Sequence, residues 1–261
     1  MRDAVGKWEQ SLLLQQDPVI RNSIPETKMY TINNLIELLN RYSHVYVKHT
    51  STGQGRAIFK ILKRKDGLYC YNGFTIQGKH INKCVSSINE FHQILHPFLK
   101  FGRESGLYVI QEGIESVTQS GLPFMIRVHI QLLEDNWLVG GMYGNIGLAK
   151  AESNGIVNSH QGAKVISINE LLTLHLKLDQ GKQYETIETL NRLAISVAKV
   201  FSSQFPRREY GMDFGLNKNG TPILFEVNTT PSIRSFAEIE NKAVWENIVR
   251  IRKQQNKGFE N

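Results

Sequence analysis

Tyr210-Gly-Met-Asp-Phe-Gly-Leu-Asn-Lys-Asn-Gly-Thr-Pro-Ile-Leu-Phe-Glu-Val-Asn228 is the stretch on which the reading of the whole chain turns. Asn219-Gly220 between two alternating runs is a strong hairpin signal. A two-residue turn there sets Lys218 against Thr221. It then pairs Leu216 with Ile223, Phe214 with Phe225 and Met212 with Val227. These last three pairs are apolar and share one face of the ribbon, as the strand period of two requires. On the other face Asp213 meets Glu226, and Asn228 follows opposite Gly211. Directly opposed side chains have Cβ atoms about 4.5–5.5 Å apart, so two carboxylates there repel each other. A divalent cation removes the conflict. Three hard oxygen donors, with room left for water and phosphate oxygens, suit Mg²⁺ bound together with a nucleotide. A slip of one residue would part the carboxylates and leave an ordinary solvated ribbon.

Composition bounds what surrounds this hairpin. The chain has 261 residues, 41% of them hydrophobic and 21% charged, enough for one large domain or two small ones and against wholesale disorder. No apolar run approaches the roughly 18 residues that span a bilayer. Met1 to Gln16 lacks the layout of a signal peptide, so a cytoplasmic location is expected. Cys70 and Cys84 stand apart from any CxxC pair and are expected to be reduced. The net charge of +7 favours anionic partners such as nucleotides. The basic residues are spread, however. The densest cluster, Arg250, Arg252 and Lys253, suits a helix C-terminus, and no nucleic-acid-binding motif is present, so nucleic acid is not an expected partner.

Helices and strands alternate without a strict βαβ rhythm, which points to the α+β class. Ser87, Ser167 and Ser235 each precede a Glu by three residues and predict helix starts; the last opens a C-terminal helix carrying Ile239, Ala243, Ile248 and Ile251. Helical spacing also follows Thr31 and runs from Ile187 to Phe201. Strands are expected over 45–48, 57–61, 68–71, 106–111, 124–132, 138–143, 210–216 and 222–228. Lys48 ends an apolar strand, and the loop after it holds Gly53 and Gly55. Such a loop can cradle phosphate through its backbone N–H groups, though a plain surface hairpin reads the same way. Tyr108 to Ile114 is an apolar strand ending in polar residues and glycine. Met125, Arg127, His129 and Gln131 share a strand face by alternation; site and solvent are both open for it.

Taken in order, these pieces resemble the ATP-grasp superfamily, most nearly its YheC/YheD-type endospore coat-associated proteins. The most specific likeness is Glu226-Val-Asn228 ending at Pro231. The resemblance implies an ATP-grasp fold in which two α+β subdomains enclose a nucleotide cleft. It implies an arm over 1–29, a subdomain with the phosphate loop over 30–113, a C-terminal subdomain with the metal site over 114–255, and a tail over 256–261. It casts Lys7 and Lys48, with Gly53 and Gly55, as phosphate contacts. Gln111, Glu112 and Ile114 become the adenine hinge, and Glu115 a ribose contact. Arg127 and Asn158 take catalytic roles, and Asp213, Glu226 and Asn228 bind Mg²⁺, or Mn²⁺ in its place. His129 and His160 stand as proton handlers or as ordinary hydrogen-bonded histidines.

The function the resemblance implies is an ATP-dependent carboxylate–amine or carboxylate–thiol ligase. It would act through an acylphosphate on an unidentified carboxylate acceptor. The sequence departs from the family pattern at Met125, where Asp is usual, at Asn145, where many relatives have Arg, and at Ala163. The alternative these departures carry is a catalytically divergent ATP-binding protein of spore coat assembly, with coat components as partners.

Overall fold

The computed structural model describes residues 5–53, 55–148, 154–157 and 162–257. Its hairpin, β10 (Glu209–Leu216) and β11 (Pro222–Asn228), forms where expected but by a different route. Asn217 N–H donates to Thr221 O (3.0 Å) and Gly220 N–H to Asn217 O (2.9 Å), so the loop holds three residues, not two. The Asn217 carboxamide oxygen accepts from the N–H groups of Asn219 and Thr221, and Gly220 takes the left-handed conformation that ends such a turn (φ +77°). The longer loop shifts the register, pairing Leu216 with Pro222 and Phe214 with Leu224. A bulge beside Phe214 shifts it back, so Asp213 faces Glu226 and Gly211 faces Asn228. Phe225 therefore does not share the apolar face with Phe214. It lies over Gly215, where a Cβ would stand 2.3 Å from its ring.

Two antiparallel sheets make up the fold. The second has the order β11-β10-β7-β8-β9, with β7 Phe124–Leu133, β8 Asn136–Ile146 and β9 Lys164–Ser167. One face packs on the long helix α5 (Gln180–Gln204), whose first turn is capped by Asp179 accepting from Lys182 N–H (2.9 Å). Leu190, Ala194, Val197 and Phe201 meet Ile126, Val128, Met212 and Phe214 there, all fully or nearly fully buried. Leu14 and Ile20 join this core, so helix α1 (Lys7–Gln15) packs on the second sheet although its chain then runs into the first.

The first sheet has the order β1-β6-β2-β3-β4-β5. Its strands are β1 Thr27–Met29, β2 Val45–His49, β3 Ile58–Lys63, β4 Tyr69–Phe74, β5 His80–Val85 and β6 Tyr108–Glu112. Helices α2 (Ile32–Arg41) and α3 (Ile88–Leu95) cover one face through Leu35, Leu38, Phe91 and Leu95. Thr31 and Ser87 cap them, accepting from Asn34 N–H and Asn89 N–H.

The structure overturns two further expectations. Cys70 and Cys84 are joined in a disulfide, because they oppose each other across β4 and β5 with Cα atoms 4.0 Å apart. Strand β5 gives no clear sequence pattern, so this pairing was hidden. Ser235 does not start the last helix. A 3₁₀ turn (Arg234–Glu238) is followed by Glu240, Asn241 and Lys242, all at positive φ, and α6 begins only at Ala243 and runs to Lys257. Phe236 is the reason: fully buried, it packs edge-on to Tyr143 at 4.8 Å and holds the turn against the sheet. By contrast Ser167 does cap α4 (Ile168–Glu170) through Glu170 N–H. Among the described residues no helix is long and apolar enough to cross a membrane.

Candidate functional site

Register builds the centre of the site. Asp213 lies between Glu226 of β11 and Arg127 of β7, directly opposed to both. Arg127 Nε donates to Asp213 Oδ1 at 2.5 Å and Nη2 to Oδ2 at 3.1 Å, a two-point grip. Asn228 Nδ2 donates to the same Oδ2 at 3.2 Å. The Arg127 and Asp213 side chains are only 16% and 14% exposed. Burial raises the Asp213 pKa and Glu226 adds to the rise, while Arg127 and Asn228 oppose it. Burial works against the Arg127 charge, but Asp213 outweighs it and keeps the guanidinium firmly protonated. Gly211 is required beside them, since a Cβ would stand 2.7 Å from the Pro231 ring and 3.3 Å from Arg127 Nη1.

The second sheet thus brings the carboxylates and Arg127; the arm and the first sheet bring two lysines. Lys7, at the start of α1, is 3.3 Å from Glu226 Oε1 and donates to Thr52 O of the glycine loop at 2.7 Å. It ties that loop to the hairpin. Lys48 Nζ hydrogen-bonds Gln111 Oε1 and lies 5.5 Å from the centre of the Tyr46 ring. Desolvation lowers the Lys48 pKa to about 8, with Lys7 pushing the same way and Glu226 and Asp213 pulling back. Gln111 in turn donates to Thr27 Oγ1 at 3.2 Å, so its orientation is set from both sides.

The remaining expected residues are placed less uniformly. Gly55 has φ +73°, and Gly53 is exposed with open space where a Cβ would lie. The Glu112 carboxylate accepts from Glu26 N–H at 3.2 Å and so turns to β1. Ile114 is half-buried just past β6. Glu115 is exposed and pairs with Lys218 in the hairpin turn at 3.0 Å. Asn158 and His160 lie outside the described residues. His129 is fully buried 3.3 Å from Glu209 and against Phe236, and burial lowers its pKa. It is therefore a core histidine, not a proton handler in the cleft.

Sequence reading missed several supporting groups. Tyr46 Oη donates to Asn154 O (3.1 Å), linking the first sheet to the loop after β8. Gln10 takes both backbone groups of Val227, accepting from its N–H at 2.9 Å and donating to its C=O at 3.1 Å. A polar residue in an amphipathic helix carries no signal of such a role. Met125 and Asn145, two separate departures in the sequence, prove to be directly opposed on β7 and β8, next to the opposed pair Arg127 and Tyr143.

The donor set fits magnesium held together with phosphate. Among the described residues no group of three or more His, Cys, Asp or Glu side chains could hold a metal alone. Two carboxylates and one amide leave several octahedral positions for water and phosphate oxygens. Asp213 and Glu226 oppose each other directly and are half-buried, with Arg127 and Lys7 each meeting one of them; these two carboxylates and the Asn228 amide are the oxygen donors that would hold the cation.

Comparison with known proteins identifies the family and the fold. A family model described as YheC/D-like ATP-grasp matches residues 2–253. The endospore coat-associated protein YheD of Bacillus subtilis (strain 168) is 26% identical over 240 residues, 89% of this chain and 49% of that protein. The chain thus spans about half the length of the curated relative it matches. Among solved structures, N5-carboxyaminoimidazole synthetase from Staphylococcus aureus complexed with ADP has a TM-score of 0.51 at 11% identity, covering 89% of this chain and 46% of that one. The ATP-grasp ligase PsnB complexed with minimal precursor has a TM-score of 0.51 at 12% identity, covering 96% and 60%. These two share the fold. With its family model matching nearly end to end, the chain belongs to the YheC/D-like ATP-grasp family.

Proposed function

We propose that the cleft binds Mg-ATP and that the protein is an ATP-dependent carboxylate–amine or carboxylate–thiol ligase. The supporting observation is the meeting of Asp213, Glu226 and Asn228 with Lys7 and Arg127 at one place between the sheets. Bound ATP would supply the phosphoryl group that converts an acceptor carboxylate to an acylphosphate, which an amine or thiol then opens with release of phosphate. The chain's own work is positioning and charge neutralisation. Asp213, Glu226 and Asn228 would hold the metal. Lys7 and Lys48 would meet phosphate oxygens, with the loop of Gly53 and Gly55 above them. Arg127, already aimed at Asp213, would stabilise charge on the transferred phosphoryl group. The strand end from Gln111 to Ile114 would meet the adenine.

ADP release in the presence of ATP, Mg²⁺ and panels of acids and amines tests this. The expected outcome is acid-dependent release that falls by roughly 10²-fold or more in Asp213→Asn and Glu226→Gln. Absence of ATP affinity in the unaltered chain, or full activity in both variants, would overturn it.

One observation favours a second reading, a nucleotide-dependent protein of coat assembly without ligase turnover. Met125 and Asn145 stand directly opposite each other where the family pattern places Asp and Arg, so two opposite charges are replaced together by neutral groups. Asn145 is buried, and among the described residues its Oδ1 has no hydrogen-bond partner. That reading predicts ATP affinity without acid-dependent ADP release.

A further inference from the structure

The strand edges of the two sheets are protected to different degrees. The outer edge of β11 is closed by the Gln10 carboxamide, which replaces a neighbouring strand at Val227. The outer edge of β5 carries His80 and Lys83, the charges and polarity that discourage pairing. The outer edge of β8 has neither protection. Strand β9 pairs only with Tyr143 to Ile146, because the chain leaves the sheet at Ser167 to cap α4. From Trp137 to Met142, β8 has β7 on one side and no described strand on the other, and this run contains no charge and no proline.

The backbone there points outward in a regular pattern. Leu132 N–H donates to Arg208 O on the far side of β7, so its partner Trp137 turns its own N–H and C=O to the free edge, and Val139 does the same two residues on. Among the described residues these groups have no partner; only Gly140 C=O is taken, by Asn247 Nδ2 at 2.8 Å. The edge lies in an open groove of about 800 Å³ between α5 and α6. Ile187 and Ile195 line one wall and Val244 the other, and the charged residues of the lining are Glu188 and Glu240.

We infer that this groove captures an extended peptide segment of a partner protein as an added strand beside β8, one with β-branched or aromatic residues at alternate positions and at least one lysine or arginine. Main-chain hydrogen bonds to Trp137 and Val139 give the affinity, and the two walls read alternate side chains. The acidic rim selects the basic residue, and it disfavours a second copy of the same edge, which would bring like charges together. The groove lies across the sheet from β11, with β10 and β7 between, so its occupancy is separate from the nucleotide reading.

Selection of a random nine-residue peptide display library on the immobilised full chain tests this. Enriched sequences should alternate apolar residues with at least one basic one. Synthetic peptides carrying them should bind saturably and weaken roughly ten-fold or more when their edge-facing amides are N-methylated. The same loss is expected in Val139→Pro, which removes an outward donor at an edge position where proline is tolerated, and in the double variant Glu188→Lys, Glu240→Lys. Should Val139→Pro fail to fold, the N-methylated peptides still probe the same hydrogen bonds on the unaltered protein. No enrichment over the blank support overturns the inference. So does binding that ignores N-methylation, or concentration-dependent dimerisation abolished by Val139→Pro.

Discussion

Lys48 answers to opposed demands. Its ammonium is held out of water beside Gln111, and burial depresses its pKa to about 8 from the ordinary lysine value of 10.5. A depressed folded-state pKa means the unfolded chain binds more protons between pH 8 and 10.5. This group's contribution to stability is therefore complete above pH 10.5 and is lost as pH falls through 8. At neutral pH the charged Lys48 weakens the fold, while its charge is what a phosphate would need. Lys48→Met is expected to leave Tm unchanged or raise it, and to abolish the stability rise between pH 8 and 10.5 in denaturant titrations. It should also weaken ATP binding by roughly ten-fold or more in calorimetry. A variant that lost both stability and affinity would mark Lys48 as structural.

At the scale of elements, the hairpin and its edge carry the site. The three-residue turn and the bulge at Phe225 each displace the register by one, in opposite senses, so Asp213 and Glu226 meet despite a turn that differs from the expected one. The outer side of β11 is then sealed by one side chain from α1. Gln10→Leu keeps the bulk but leaves the Val227 N–H and C=O unpaired. Its expected cost is about 1–3 kcal/mol, read as a lower denaturant midpoint at unchanged slope. Because Lys7 stands on the same helix, the variant should also weaken nucleotide binding. Gln10→Glu should not rescue it, since a carboxylate accepts from the N–H but cannot donate to the C=O.

Across the whole molecule, α6 is fastened to the second sheet by a polar cluster under its length. The Glu209 side chain is 15% exposed and is gripped by Arg252 at 2.6 Å and Gln131 at 2.9 Å, with His129 at 3.3 Å. Burial alone would raise its pKa; these contacts outweigh it and lower the value from 4.5 to about 2. The stabilisation is present above pH 4.5 and is lost as pH falls towards 2. His129, kept neutral by burial, moves stability in the same direction as acid charges it. Glu209→Gln is expected to cost roughly 1–3 kcal/mol at pH 7, less than the whole shift because neutral His129 lends no charge there. Chemical denaturation at stepped pH should show the gap between variant and parent narrowing below pH 4.5; a gap independent of pH would rule out the ionic account.

What the sequence by itself determined is the part written in local pattern. Alternation and Asn219-Gly220 placed a hairpin with Asp213, Glu226 and Asn228 on one face, and the apolar spacing of Ile187 to Phe201 placed the long helix. Such signals depend on near neighbours along the chain, so they survive without tertiary knowledge. Only the tertiary structure decided what meets across distance. It opposed Cys70 to Cys84, set Met125 against Asn145, turned Phe236 inward to delay α6, and lent Gln10 to Val227. It also moved His129 out of the cleft and into the core. Each of these follows from packing between elements far apart in sequence, where a side chain's role is set by its partner and not by its own pattern.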